Sequence, residues 1–369
     1  MGFSGFGGNR EVVERLREML GRDHFAHSVI LAGPRGSGKY TLAQMIAKAV
    51  NCLAPPPGGL PDFCGRCAAC LRIAEADDLE ARCSEAVEAR EGLRETDRRE
   101  TRILVQTHPD VMIVPPDPPQ MMIKVDQVRR VIGAIYRRPS SGRRRLFIFT
   151  DSGFMKEAAN ALLKILEEPP EFASILLLTE NPGELLPTIR SRCVMFTLAP
   201  LPAEEVERWL RQRRPEWSPA QHSLVARLSG GALGTAFRFD LAQYQAARKD
   251  AMAILQAGAG NSDHSALFRT TETYRAGAEG RDKTERLVRT LYALLEDLMF
   301  LHSGTSGLVR NQDIVRDLQD LAGRTDFNWV AAAAQRLGEV ESGMRRNLLR
   351  NLSLDAFAIS LEEGTERQL

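Results

Sequence analysis

The sequence predicts an α/β protein with a mostly parallel sheet, followed by an all-helical second half. Three observations carry this. Short apolar runs alternate with helix-period stretches up to about residue 199. A glycine loop, Gly33-Pro34-Arg35-Gly36-Ser37-Gly38-Lys39-Tyr40-Thr41, joins an apolar strand to a helix. Beyond Pro200-Leu201-Pro202 no strand pattern is legible.

Taken in order, Val12, Val13, Leu16, Met19 and Leu20 give one apolar face of a first helix. Val29–Ala32 is a buried strand running into the glycine loop. Leu42, Met45, Ile46 and Ala49 stripe the helix after it. Val111–Val114 reads as a second strand. Val125, Val128, Ile132 and Ile135 repeat at helical spacing. Leu146–Thr150 is a third strand, and a helix through Ala158, Leu162 and Leu166 stops at Pro169-Pro170. Ile175–Thr179 and Val194–Thr197 are the fourth and fifth strands. Short helices follow at Glu204–Arg213 and Pro219–Leu228, with a break at Gly230-Gly231. From about Leu241 the helices are long. One carries Leu287, Leu291, Leu294, Leu295, Leu298 and Leu301, and another runs from about Trp329 to Leu349. Such stripes are read as bundle core rather than a partner groove. Residues 74–102 stand apart, rich in Glu, Asp and Arg, and read as a solvated surface insertion.

The bulk numbers narrow the classes. A chain of 369 residues suits two or three domains. With 43% hydrophobic and 26% charged residues it has ordinary soluble-globular composition. A net charge of +1 gives no global pull toward nucleic acid or membrane. No stretch approaches the roughly 20 apolar residues of a membrane span. Met1-Gly2-Phe3-Ser4 lacks a secretory signal pattern, and Phe6 stands where a myristoylation motif wants Ser or Thr. The expected location is the cytoplasm, where six cysteines argue for metal binding or packing rather than disulfides.

The glycine loop is the strongest chemical signal. Gly33, Gly36 and Gly38 let the backbone curl around phosphate, the following helix adds its N-terminal N–H groups, and Lys39 adds charge. The pattern then demands a short hydroxyl for a nucleotide-bound magnesium ion, and Tyr40 stands there. A phenol places its oxygen too far out. Thr41 has the right group, but one helical step turns it by about 100°. ATP or ADP binding is therefore an open expectation, and turnover is not expected. A metal-holding acidic pair is also irregular: the third strand ends Phe149-Thr150-Asp151-Ser152, where Asp151 either faces a metal or caps a helix.

Cys64-x2-Cys67-x2-Cys70, with Cys52 upstream, supplies four thiols for one tetrahedral zinc ion. A Pro- and Gly-rich loop, Pro55–Gly59, gives the chain room to return. Four protein ligands leave no open position, so the zinc would be structural. An iron–sulfur cluster or buried free thiols are the alternatives. Arg129, Arg130, Arg137, Arg138 and Arg143–Arg145 form a loose basic cluster, read as a solvated face with phosphate contact as the alternative. Thr188-Ile189-Arg190-Ser191-Arg192-Cys193 reads on spacing alone as a basic turn before a strand.

Several motifs together resemble the bacterial clamp-loader family, AAA+ proteins related to replication factor C. They are Phe6-Gly7-Gly8-Asn9, Ala26-His27-Ser28, the four cysteines and His108-Pro109-Asp110. They continue with the block from Ala158 through Asn160 to Pro170, and with Ser191-Arg192-Cys193. The resemblance covers most of the chain apart from 74–102 and weakens after about residue 245. It implies an AAA+ base over 1–199, with a zinc module at about 52–70, a helical lid over 200–243 and a helical collar over 244–369. The motor (gamma/tau) branch of the family keeps an intact phosphate loop, an Asp-Glu pair and a sensor arginine. Here Tyr40, Ser152 and Gly234 stand at or near those places, which favours the delta-prime branch. Arg192 is retained, and by resemblance it completes a neighbouring subunit's ATP site in trans. The implied partners are gamma/tau and delta subunits and, through the assembly, the sliding clamp and primed DNA during replication. The implied chain belongs to a polymerase holoenzyme without itself being an active ATPase. The rivals are an ATP-hydrolysing motor subunit and a standalone zinc-containing nucleic-acid binder.

Overall fold

The computed structural model describes residues 2–21, 25–260, 264–275, 278–344 and 349–366. Two compact units emerge: residues 1–209 with 230–237, and residues 210–229 with 238–369.

The first unit is built on six strands, β1 (Ser28–Ala32), β2 (Val105–His108), β3 (Val111–Val114), β4 (Arg145–Phe149), β5 (Ala173–Thr179) and β6 (Val194–Thr197). They lie in the order β2-β3-β4-β5-β1-β6. Every pairing is parallel except β2 with β3, which is antiparallel. The interleaved helices are α1 (Arg10–Gly21), α2 (Lys39–Asn51), α3 (Ala68–Ala74), α4 (Leu79–Glu91), α5 (Glu95–Glu100), α6 (Val125–Ile135), α7 (Lys156–Glu167) and α8 (Pro187–Arg190). The near-continuous apolar strands are explained by burial on both faces. Val29 and Leu31 of β1, Leu146 and Ile148 of β4, and Leu176 and Leu178 of β5 pack on the α1–α2 side. Their neighbours Ile30, Ala32, Phe147, Phe149, Ile175 and Leu177 pack on the α6–α7 side.

Strand β2 was not expected. Val-Gln-Thr-His offers one large apolar residue, and an edge strand needs no more, because half of it meets solvent. The charged insertion also differs from a bland surface segment. Its helix α4 buries no side chain, yet its ends are tied down. Lys48 of α2 pairs with Asp77 at 2.6 Å, and Arg90 pairs at 3.0 Å with Asp117, which is fully buried.

Beyond β6 the chain is helical among the described residues: α9 (Ala203–Arg213), α10 (Pro219–Leu228), α11 (Leu233–Phe237), α12 (Leu241–Gly258), α13 (Ser265–Glu272), α14 (Ala278–His302), α15 (Val315–Ala322), α16 (Phe327–Met344) and α17 (Arg350–Glu366). Five of the six leucines on α14 are buried in the second unit's core, and Leu301 packs against it. They are bundle core, as the stripe implies. The helix expected to reach Leu349 is traced to Met344, and residues 345–348 lie outside the described residues. A buried polar network closes this unit. Asp297 accepts from the N–H groups of Arg310 (2.7 Å) and Asn311 (3.0 Å) and from Asn311 Nδ2 (2.7 Å). Arg248 binds Asp313 through both Nη atoms.

Candidate functional site: a phosphate loop, a four-cysteine centre and an exposed arginine

The glycine loop lies between β1 and α2, at the carboxyl ends of the parallel strands, where ligands of open α/β sheets sit. Gly36 (φ 78°) and Gly38 (φ 92°) adopt the left-handed conformation that such a loop needs and that side chains resist. Lys39 Nζ donates to the carbonyls of Gly33 (2.6 Å) and Pro34 (2.9 Å), folding back over its own loop. Burial lowers its pKa, while Glu180 and Asp151 pull the other way. Those two carboxylates and Glu184 line a cavity of about 300 Å³ with Lys39, Ser152 and Thr179.

Tyr40 does not face this cavity's chemistry. Its hydroxyl donates to the carbonyl of Ala76 at 2.5 Å and accepts from Gln44 Nε2 at 2.7 Å. Burial raises its pKa well above the usual phenol range. The side chain at the magnesium-hydroxyl position is thus spent on fastening the start of the charged insertion. Thr41 is exposed on the next step of α2.

The acidic position is equally altered. Asp151 Oδ1 accepts from the N–H of Gly153 at 2.7 Å, so it turns the chain after β4 while still lining the cavity. Ser152 is buried. Its hydroxyl donates to Glu184 Oε2 at 2.7 Å and accepts from Thr179 Oγ1 at 3.0 Å. Gly234 N–H donates to the carbonyl of Gly36 at 2.8 Å, and Thr235 Oγ1 donates to the carbonyl of Arg35 at 3.4 Å. A Cβ on Gly234 would stand 2.8 Å from that same Gly36 oxygen. A side chain here, arginine included, requires the loop to shift. A contact spanning some two hundred residues of sequence had no local signal.

The four predicted cysteines converge. Cys52 caps the C-terminus of α2, Cys67 caps the N-terminus of α3, Cys70 lies in α3, and Gly65 (φ 69°) makes the turn after Cys64. All four Sγ atoms lie within 4.8 Å of one another, with Cys52 and Cys67 at 4.0 Å. A tetrahedron with metal–sulfur bonds of about 2.3 Å has edges of about 3.8 Å, so the set fits one ion after minor contraction. Backbone N–H groups of Cys64 and Cys67 point at the sulfurs of Cys52 and Cys64, both at 3.3 Å, which favours thiolate. Cys67 is drawn down to about 6: burial opposes this, and the N–H donors of Cys70 and Leu53 with the neighbouring thiols outweigh it.

Arg192 follows α8 and is about one-third exposed. Its guanidinium pairs with Glu167 at the end of α7 (2.7 Å) and donates to the carbonyl of Thr188 (2.9 Å). The His108-Pro109-Asp110 motif is structural. Buried Asp110 accepts from the N–H groups of Ser140, Ser141 and Gly142 at 2.7–2.8 Å, and His108 Nδ1 accepts from the N–H of Asp110 at 3.1 Å. The basic cluster divides. Arg144 and Arg145 turn inward and bond the carbonyls of Phe25, Glu171, Ala134 and Pro109, so they leave the solvated face expected of them. Arg129, Arg130, Arg137, Arg138 and Arg143 remain exposed.

A mostly parallel sheet with a phosphate loop on β1, strands on both sides of that loop strand and helices beyond defines the class of phosphate-loop α/β proteins. Within it, residues 8–202 match the family described as DNA polymerase III, delta subunit, and the chain belongs to that family. A DNA polymerase III subunit delta′ from Pseudomonas aeruginosa is 35% identical over 60% of this chain and 58% of its own length. The tau subunit of Escherichia coli is 28% identical over 61% of this chain and 30% of its own. The matched part of the chain thus spans less than two-thirds of either relative. A gamma subunit-related protein from Thermotoga maritima superposes with a TM-score of 0.42 at 19% identity, over 96% of this chain and 99% of that one.

Proposed function

We propose that the chain is the delta-prime-type subunit of a DNA polymerase III clamp loader. In this reading it hydrolyses no ATP and lends Arg192 to a neighbouring motor subunit's ATP site. Working with gamma/tau and delta subunits, it helps place the sliding clamp on primed DNA. The observation that carries the reading is the commitment of Tyr40 to Ala76 and Gln44, which leaves no hydroxyl for a nucleotide-bound magnesium. Ser152 without a carboxylate of its own and Gly234 packed against Gly36 support it. Gly33, Gly36, Gly38, Lys39 and Thr41 would at most hold nucleotide passively. Cys52, Cys64, Cys67 and Cys70 would hold a structural zinc. The base at 1–199, lid at 200–243 and collar at 244–369 belong to the same proposal, and the lid residues contribute to both compact units.

The arginine role rests on chemistry that the site can do. An exposed guanidinium held at a fixed place by Thr188 and Glu167 presents charge outward, where a partner's phosphates can exchange with the Glu167 carboxylate. Such an arginine is worth about 10³ or more in turnover at the site it completes. The test measures ATP turnover by the purified chain and by a reconstituted loader carrying Arg192→Ala. The chain alone should show none, and the loader should lose about the share contributed by one site. Substantial turnover by the chain alone would favour a motor subunit, the reading that the tau relative keeps in play. An unchanged loader rate would remove Arg192 from the ATP site.

A further inference from the structure

A hollow of about 490 Å³ lies within the second unit, where the chain leaving α9, the start of α10 and the chain entering α12 meet. Arg214, Trp217, Gln221, Arg238, Phe239 and Gln245 line it, and it shares no residue with the cavity beside the phosphate loop. Its size is that of an ordinary small-molecule site. None of the functions above uses it.

The charge inside is positive. Arg214 and Arg238 bring two guanidiniums, and Asp240 is the one acid among the lining residues. Asp240 is already committed, because it caps α12 by accepting from the N–H of Gln243 at 2.9 Å. Arg214 stands over the Trp217 ring, 5.4 Å from its centroid, which helps hold the guanidinium in place. Buried His222 backs both residues: its ring lies 6.2 Å from that of Trp217, and its Nε2 donates to the Arg214 carbonyl at 2.8 Å. The ion pair of Arg214 with Glu216, at 3.6 Å between well-exposed side chains, is weak enough for a phosphate to displace. Half-buried Phe239 supplies a ring wall and rests on Tyr244, with the centroids 5.4 Å apart. Gln221 spends its oxygen on the N–H of Ser218 at 2.8 Å and keeps its amide nitrogen as a donor. These groups are set before any ligand arrives, so less entropy is lost on engaging one.

We propose that this hollow binds a nucleoside diphosphate, apart from the phosphate loop and without a metal ion. Two guanidiniums, a ring wall and side-chain amides match an anion joined to a flat heterocycle. Arg214 and Arg238 pair with the phosphates, Phe239 carries the base, and the amides of Gln221 and Gln245 meet its polar edge. A run of acidic side chains would use the arginines but leave the ring wall idle. The proposal does not rest on the delta-prime reading, because neither Arg192 nor the phosphate loop takes part.

The probe is mant-ADP, titrated with the full chain by fluorescence anisotropy in the presence of EDTA. Saturable binding is expected. Arg214→Ala and Arg238→Ala should each weaken it about 10-fold or more, and Phe239→Ala about 5-fold or more. A charge-matched variant, with Arg316 and Arg324 changed to Ala, should bind as the native chain does. Photolabelling with 8-azido-ADP locates the site in the native chain without relying on a variant, and the label should fall on peptides from residues 214–245. No saturable binding up to about 1 mM would overturn the proposal. So would label confined to residues 33–41 with binding lost in Lys39→Ala, which would place the nucleotide in the phosphate loop. Binding of a poly-glutamate peptide in place of mant-ADP would also overturn it, marking the hollow as one for an acidic protein segment. Circular dichroism of the variants separates loss of contact from loss of fold.

Discussion

Tyr40 shows how one side chain can turn a nucleotide site into a scaffold. In the phosphate-loop pattern the residue after the lysine points its hydroxyl at a metal. Here the longer side chain reaches past that position and donates to the Ala76 carbonyl, while Gln44 Nε2 donates to the Tyr40 hydroxyl. The sequence announced the missing metal contact, but not the new partner, because Ala76 contributes only a backbone carbonyl, to which no residue type points. Tyr40→Phe should cost about 1–2 kcal/mol, since it leaves the Ala76 carbonyl and the Gln44 amide without their partner. Tyr40→Thr should cost more, about 2–4 kcal/mol, because it also removes a partly buried ring packed on the sheet core. It should restore no ATP turnover, since Ser152 and Gly234 are unchanged. Urea denaturation and a turnover assay check both halves, and activity in Tyr40→Thr would mean that position 40 alone silences the site.

At the scale of elements, the legible parts were those whose signal is periodic. Strands β1, β3, β4 and β5 and their helices follow from apolar runs and stripes, because burial on both sheet faces leaves few polar residues within them, and β6 follows from its apolar run although it is a mostly exposed edge. The unread parts are held by contacts across sequence distance. Strand β2 is a half-exposed edge with weak patterning, and the loop before β4 is set by Asp110, thirty residues away. The run Arg143–Arg145 could be seen as basic but not divided, since only the fold decides that Arg144 and Arg145 bond backbone carbonyls. The β2–β3 turn also makes this region acid-sensitive. Burial, chiefly, lowers the His108 pKa below its usual 6.5, so the unfolded chain binds the imidazole proton more readily than the folded one. Stability supplied by neutral His108 is present above about pH 6.5 and lost as pH falls toward its depressed folded value. Asp110 is lowered too: its burial opposes this, but the N–H donors of Ser140, Ser141 and Gly142 prevail. Its contribution is lost further down, as pH falls below about 4. Denaturant midpoints of the native chain should therefore decline between pH 7 and 5. In His108→Asn, whose carbonyl can still accept from the Asp110 N–H, the midpoints should stay nearly flat over that range.

For the whole molecule, the two units carry separate hydrophobic cores. The sheet core is shared between two faces of one unit, and among the described residues the second core runs from Ala251 to Leu361. Each also has a polar cluster of its own: the Asp297–Asn311 network fastens the second, and the cysteine centre would fasten the first once it holds the proposed zinc. Agents aimed at one fastening should act on one unit. Metal analysis should find about one zinc and no iron per chain, and Cys67→Ser should lose the zinc. Chelation or that substitution should lower the unfolding temperature of the sheet unit, because a closed four-thiolate site contributes its binding energy to folding. Asp297→Ala should do the reverse. It strands three N–H donors that are buried or nearly so, at a cost of about 3 kcal/mol, or roughly 6–12 °C for a unit of this size. Calorimetry should then resolve two transitions, with the lower one depending on which fastening was removed. A single transition that moves as one under both treatments would show that the units unfold together. Zinc loss without any fall in stability would strip the cysteine centre of its structural role.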